Sequence, residues 1–361
     1  MAIKETWSSL ADAIQQIRER AHDIAVVVAA NLEGISTLTN DYQATSASSE
    51  YFSEYEARAI INGLRENNFR IEFFPGELPL IEAILKGELG EITNPLKTVY
   101  NTAQSGTAVG RKSLVPALCA LSGIPFCNSD AYVVSLARHK FHVHAILKRL
   151  GLPTPSCWMF VPNNGWLNGE RPPRGENLIA KAAYEAASIG LTADSVGTFG
   201  SKFEALVAEK SSILRQPIVV QSFIEGFEAD VPVIQHGRPR AIDVLCVSID
   251  GDQRLGSKFL TYDLVASDAH RYEPPAYFSK QLFRKLALCA EKVFDALGFS
   301  GLGRIDFRVS PDGEFAVIDV ATSPHLTPAH AFGTAFANRG LGQSDLMAAL
   351  IGLNALRFGW I

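Results

Sequence analysis

GRIDFRVSPDGEFAVIDVATSP, residues 303 to 324, sets two aspartates thirteen positions apart in a stretch that otherwise reads as strand. Its centre, SPDGE at 310–314, is a turn signal between two such runs and predicts a β-hairpin. A turn centred between Asp312 and Gly313 sets Ile305 opposite Val320, Phe307 opposite Ile318 and Val309 opposite Ala316, which makes one face apolar. The other face pairs Asp306 with Asp319. Two carboxylates about 5 Å apart repel by roughly 3 kcal/mol at an effective dielectric of about 20, so a positive group must offset them. Arg304 and Arg308 share that face, and a hard divalent cation held by carboxylate oxygens, waters and phosphate oxygens serves as well. From the hairpin alone, a surface Arg/Asp network and a metal site stand level.

At 361 residues the chain exceeds what one hydrophobic core usually serves and implies two or three packed subdomains. A formal charge of −5 argues against nucleic acid or an anionic membrane as the main partner. Cys119, Cys127, Cys157, Cys246 and Cys289 are scattered in apolar surroundings without a CxxC pair, as reduced buried thiols are. Residues 1–20 read as a polar, helix-like leader without an apolar signal core, and no apolar run approaches a membrane span, so the expected location is the cytoplasm.

Upstream of the hairpin, strands and helices alternate. IAVVVAA at 24–30 reads as a buried parallel strand, 48–67 as a helix capped by Ser48 or Ser49, and FRIEFF at 69–74 as a second strand. Residues 98–100, 112–122 and 124–127 continue as strand, helix and strand, giving an α/β unit over 1–129. Residues 130–150 read as one helix that stops at GLPTPS, opening a central unit over 130–215. Residues 163–176 read as an exposed loop before the strand NLIAKAA. The last unit, 216–361, begins with two or three strands over 216–248 and carries an amphipathic helix at 277–298.

Three features carry chemistry weakly when taken singly. IAKAAYEAASIGL at 179–191 ends a strand at Lys181 and continues through small residues, Glu185, Ser188 and Gly190, a composition that lets backbone N–H groups approach an anion. Lys140 lies in an apolar helical stretch and needs a partner there, whereas its neighbours His139, His142 and His144 read as helix-surface residues rather than metal ligands. Glu228, after the turn in VVQSFIEGFEADVPVI, could accept both hydroxyls of a ribose or simply be exposed.

In this order, from about residue 24 to the C-terminus, the segments resemble the D-alanine:D-alanine ligase family of ATP-grasp enzymes. That resemblance implies an ATP-grasp fold of three subdomains, α/β with an α+β ATP-binding part and a Rossmann-like N-terminal domain. It implies ATP and Mg²⁺, or Mn²⁺, with Asp306 and Asp319 as metal ligands. Lys140 and Lys181 match the phosphate-binding lysines, and 184–190, with Glu185 and Ser188, matches the loop over the phosphates, Ser188 also standing among the catalytic groups. Gln221, Ser222, Phe223 and Ile224 fall at the adenine edge, and Glu228 matches the ribose acid. Arg304 matches the arginine that stabilises the transferred phosphoryl group, and Lys258 the lysine of the loop that covers the substrates. The chemistry implied is attack of one carboxylate on the ATP γ-phosphate, then displacement of phosphate from the acyl phosphate by a second substrate's amine or hydroxyl. The substrates are small amino acids or related acids; a homodimer is a family expectation.

Departures mark a divergent member. Ala321 stands where the motif has a metal-binding asparagine, and His325 where it has glycine. His330 lies in PAH, which replaces a serine-rich segment that holds the second substrate. Ala187 and Phe259 replace a serine and a tyrosine that pair with an N-terminal acid, to which Glu50 in SSEYFS corresponds, so two hydroxyls are lost from the first-substrate pocket. These changes imply altered substrates, or alternatively a nucleotide-binding regulatory module with weak turnover.

Overall fold

Ile24–Ala30 is buried at all of its positions, and its apolar run has no alternation because a parallel strand here is covered on both sides. The computed structural model describes residues 2–35, 41–42, 45–90, 96–106 and 108–361. The strand is the centre of a three-stranded parallel sheet, flanked by Arg70–Pro75 and Leu96–Asn101. The fourth expected strand, 124–127, contributes only the single bridge Val99–Phe126. The leader is an integral helix, Ala2–Glu19, whose buried Trp7, Leu10, Ile14 and Ile17 share one core with the C-terminal helix Gln343–Arg357.

The helix expected over 48–67 begins later, at Glu54, because Ser53 and Glu56 form a reciprocal capping box that Ser48 and Ser49 cannot form. Ala47–Glu50 is a 3₁₀ turn instead. This places Glu50 and Glu56 on the turn and first helical coil that face the rest of the chain. The single helix expected over 130–150 is likewise two, Ala131–Arg138 and Lys140–Arg149, broken at His139, whose ψ of 87° is not helical. Lys140 therefore opens a helix, its N–H donating to the Ala183 carbonyl at 3.1 Å.

A five-stranded antiparallel sheet follows, in the order 165–166, 157–161, 218–222, 177–182, 196–198, with helix Ser201–Leu214 on one face. Strand Ile218–Ser222 is hydrogen-bonded into this sheet, so the chain passes to the next sheet at 223–226 rather than at 215. The third sheet is antiparallel, in the order 270–273, 245–249, 227–236, 302–309, 315–321, with 238–241 added beside 227–236; strands over 216–248 thus number four. Helix Lys280–Ala296 covers one face of it through Leu286, Ala290, Val293 and Phe294. The turn into 227–236 closes on Gly226 at φ +139°, where a Cβ would lie 2.1 Å from the Val309 carbonyl oxygen, so only glycine allows the strands to meet. No helix among the described residues is long and apolar enough to cross a membrane.

His139 and His142 stack at 3.5 Å on the helix surface as expected, but His144 is turned inward, buried, with its Nδ1 unpartnered. Burial first, then the nearby Lys148 charge, pushes its pKa down from 6.5 to about 4. Above pH 6.5 the ring is neutral in folded and unfolded chains alike and costs nothing. Between pH 6.5 and 4 only the unfolded chain gains the proton, so stability falls progressively over that range. Urea unfolding of His144→Gln should lose less stability between pH 7.5 and pH 4.5 than the parent does; parallel curves would contradict this.

Candidate active site

The hairpin pairs Asp306 with Asp319, Ile305 with Val320 and Arg304 with Ala321, as its pattern predicts. Beyond Asp306 a bulge shifts the register by one, so Phe307 faces Val317 and Val309 faces Phe315 rather than Ile318 and Ala316. Phe307, Val309, Val317 and Val320 stay in the core, while Ile318, the extra residue, lines the cavity on the other side. The neighbouring strand Phe227–His236 adds what the hairpin could not reveal: Asp230 stands opposite Asp306, and Glu228 opposite Arg308. Asp230, Asp306 and Asp319 thus form one row across three strands. Asp230 was not singled out from sequence, although it lies two residues beyond Glu228 and so on the same strand face.

Side-chain cations occupy this row. Arg304 donates to both oxygens of Asp306 at 2.7 and 2.8 Å, and its Nε lies 3.0 Å from Asp230 Oδ2. Lys140 Nζ donates to Asp319 Oδ2 at 2.5 Å. Burial alone would raise Asp319, but Lys140 and then Lys181 hold it below the usual carboxylate range. Asp230 is held well above that range, by burial first and by its carboxylate neighbours, against the pull of Arg304; its Oδ1 is buried with no hydrogen-bond partner. Burial pushes Lys181 down and Glu228 up. Arg308 lies 3.6 Å from Glu228, donates to the carbonyls of Ile224, Gly256 and Lys258, and sits 5.0 Å over the Phe223 ring.

All of this faces a cavity of about 560 Å³, which brings together every expected site residue except Lys258. Lys258 is exposed outside that lining, and its backbone alone engages Arg308. Phe259, beside it, lines the cavity with its ring 6.0 Å from Phe223. Gln221 is buried with Oε1 unpartnered, whereas the Ser222 hydroxyl is turned to Glu176. In the 184–190 loop Ala187 and Ser188 both adopt positive φ, 48° and 55°, and the Ser188 hydroxyl donates to the Leu260 carbonyl at 2.8 Å, joining two loops over the cavity.

Glu50 and Glu185 stand differently from expectation. Glu50 accepts from Arg138 at 2.6 and 2.9 Å, from Arg111 at 3.4 Å and from the Ala186 N–H at 3.1 Å. Glu185, expected at the nucleotide, accepts instead from Arg111 at 2.7 Å and Gln216 at 2.8 Å. Burial would raise Glu50, but Arg138 and then Arg111 and Lys112 hold it well down. Lys112, which also lines the cavity, is pushed to about 8, burial outweighing the pull of Glu50. Arg111, Lys112 and Arg138 had no sequence signal, because their carboxylate partners are 47 to 88 residues away. At another edge of the cavity His325 Nδ1 pairs with Glu56 Oε1 at 3.0 Å, and His330 Nδ1 with Thr327 Oγ1 at 2.6 Å.

A parallel sheet followed by two antiparallel sheets around one acid-and-cation-lined cavity is the arrangement expected of an ATP-grasp enzyme, and comparison with known proteins agrees. Residues 146–352 match the family model described as D-ala D-ala ligase C-terminus. A D-alanine–D-alanine ligase of Frankia casuarinae is 24% identical over 296 residues, covering 79% of this chain and 68% of that protein. The crystal structure of D-alanine–D-alanine ligase from Bacillus anthracis complexed with ATP superposes with a TM-score of 0.67 at 17% identity, covering 93% of this chain and 98% of that one. VanG D-Ala:D-Ser ligase from Enterococcus faecalis gives 0.63 at 18%, covering 92% and 99%. The chain belongs to the D-Ala-D-Ala ligase family of ATP-dependent ligases.

Replacing Glu50 by Gln removes the close counter-charge of buried Arg138 and leaves Arg111 to Glu185, and should cost about 3 kcal/mol in urea unfolding at pH 7.5. A loss below about 1 kcal/mol would show that the network contributes little to stability.

Proposed function

We propose that the protein activates a small carboxylic acid, an amino acid or close relative, as an acyl phosphate with ATP, and transfers the acyl group to a second small substrate. The observation that carries this reading is the row Asp230–Asp306–Asp319 with Arg304, Lys140 and Lys181 beside it on one cavity wall. Phosphoryl transfer needs chiefly alignment and neutralisation of charge, which that constellation supplies.

Lys140 and Lys181 would bind the phosphates, Glu228 the ribose, and the segment 221–224 the base, with Phe223 steadied by Arg308. Magnesium, or manganese, fits Asp306 and Asp319, and the orphaned Oδ1 of Asp230 supports a third oxygen where Ala321 offers none. When bound, the metal supplies positive charge to phosphate oxygens. Arg304 and Lys140 now hold the carboxylates such a cation would use, so both must release them and turn toward the phosphoryl group. The loops joined by Ser188 and Leu260 would keep water from the acyl phosphate.

The donor end differs from a site built for an α-ammonium. Glu50 is already neutralised by Arg138 and Arg111, and Ala187 and Phe259 present no hydroxyl. A changed donor follows, and the VanG relative, named for D-serine, illustrates a varied second substrate within this fold.

ADP release with Mg²⁺ over a panel of D- and L-amino acids and hydroxy acids tests the reading; ATP binding without release on any of them would favour the regulatory alternative. Asp319→Asn should remain folded and lose ADP release by at least about 100-fold. Asp230→Asn should weaken Mn²⁺ binding, followed by electron paramagnetic resonance with ATP present, about tenfold; an unchanged titration would remove Asp230 from the metal site.

A further inference from the structure

The segment after the hairpin, 322–330, brings two histidines to the cavity wall opposite a glutamate on the first turn of helix Glu54–Arg65. We propose that His325, aimed by Glu56, is the base that deprotonates the second substrate's nucleophilic amine. The inference rests on the ligase reading and adds to it a catalytic residue, His325, and a positioning residue, Glu56.

Geometry assigns the two ring nitrogens different tasks. Glu56 Oε2 is held by the Ser53 N–H at 2.9 Å and hydroxyl at 3.0 Å, which locks the carboxylate in the capping box. Its other oxygen faces His325 Nδ1 at 3.0 Å. A carboxylate can only accept, so Nδ1 carries a proton, and in the neutral imidazole this leaves the lone pair on Nε2. The ring is fixed in plane by the edge of Phe52 at 5.6 Å and by His330, stacked at 4.8 Å, yet its side chain stays 28% exposed on the cavity.

Neighbouring groups are poorer bases. His330 spends Nδ1 on Thr327, and burial, then the His325 charge, pushes it down to about 3. Glu56 would be raised by burial, but the His325 hydrogen bond carries it down to about 2. Phe259 has no proton-accepting atom, and the Tyr272 hydroxyl is driven up by burial. The titratable and charged groups around the His325–Glu56 pair are His330 in contact, with Arg304, His270 and Glu33 beyond.

The step balances. An acceptor R–NH₃⁺ gives one proton to Nε2, leaving an imidazolium paired with Glu56. The free amine forms the C–N bond at the acyl carbon, the bond to phosphate breaks, and the second nitrogen proton leaves with the phosphate. The imidazolium then returns its proton to water.

Hydroxylamine provides the test because it is uncharged at neutral pH and attacks an acyl phosphate without a base. With the donor that gives most ADP release in wild type, His325→Asn should lose product with D-alanine as acceptor by about 100-fold, while hydroxamate formation with hydroxylamine stays near the wild-type rate. Glu56→Gln, which keeps the capping box, should show the same split at smaller amplitude. Equal loss with both acceptors would overturn the proposal, as would an unchanged rate with the amine. The three side chains also place ligand atoms within 4.8 Å of one another; a stoichiometric zinc ion held by wild type and lost in His325→Asn would make them a metal site and overturn it too. If wild type releases no ADP with any donor and either acceptor, the ligase reading fails and this proposal with it, whereas hydroxamate formation without the predicted split rejects the base alone.

Discussion

The cross-strand register that aligns Asp230, Asp306 and Asp319 is the constraint on which the rest of the site depends. Adjacent like charges on neighbouring strands cost roughly 3 kcal/mol per pair at an effective dielectric of about 20, and partial burial makes them dearer. The fold answers with cations drawn from separate elements. Arg304 comes from the same strand two residues away, Lys140 from the first position of a helix, and Lys181 from the end of a strand in the central sheet. Each is where a backbone break or strand end sets it; a continuous helix through His139 would have carried Lys140 elsewhere.

A second network ties the N-terminal third to the phosphate loop. Glu50 on its 3₁₀ turn holds Arg138 and Arg111 and also accepts the Ala186 N–H, while Glu185 takes the other side of Arg111. Buried ion pairs are a doubtful source of net stability, since desolvation offsets much of their attraction. Their value here is positional: the loop from 184 to 190, with two residues in the left-handed region, is held by charges that belong to another part of the chain. The same network removes Glu50 from the pool of free carboxylates on the cavity wall.

Local pattern made the α/β start, the amphipathic helix near 280–296 and the Asp306–Asp319 pairing legible. The register read from the turn holds from Asp306–Asp319 outward but is one residue off between the turn and the bulge at Ile318, which answers to packing rather than to alternation. Asp230 was hidden because its meaning arises across a strand pair that joins segments some seventy residues apart. The partners of Glu185 were hidden for a similar reason: Arg111 and Gln216 come from elements 74 and 31 residues away. Lys258 was placed by resemblance, and only its backbone enters the site. Ser48 and Ser49 lost to Ser53 because a reciprocal cap outweighs a lone hydroxyl, and that shift carried Glu56 to the cavity edge.

Holding the acid row with side chains also has a consequence for the order of events. Arg304 and Lys140 cover Asp306 and Asp319 through charge-assisted bonds of 2.5 to 2.8 Å, so a divalent ion entering alone must displace ammonium and guanidinium groups that have nowhere better to go. Phosphates change that balance, because they offer the same cations an anionic partner of higher charge. On the proposed reading nucleotide and metal would favour one another's binding, because phosphates that drew Lys140 and Arg304 away would leave Asp306 and Asp319 to hold the metal. The row is neutralised here by side chains and would be neutralised there by the metal, which is how three aspartates can be kept on one face of a folded sheet.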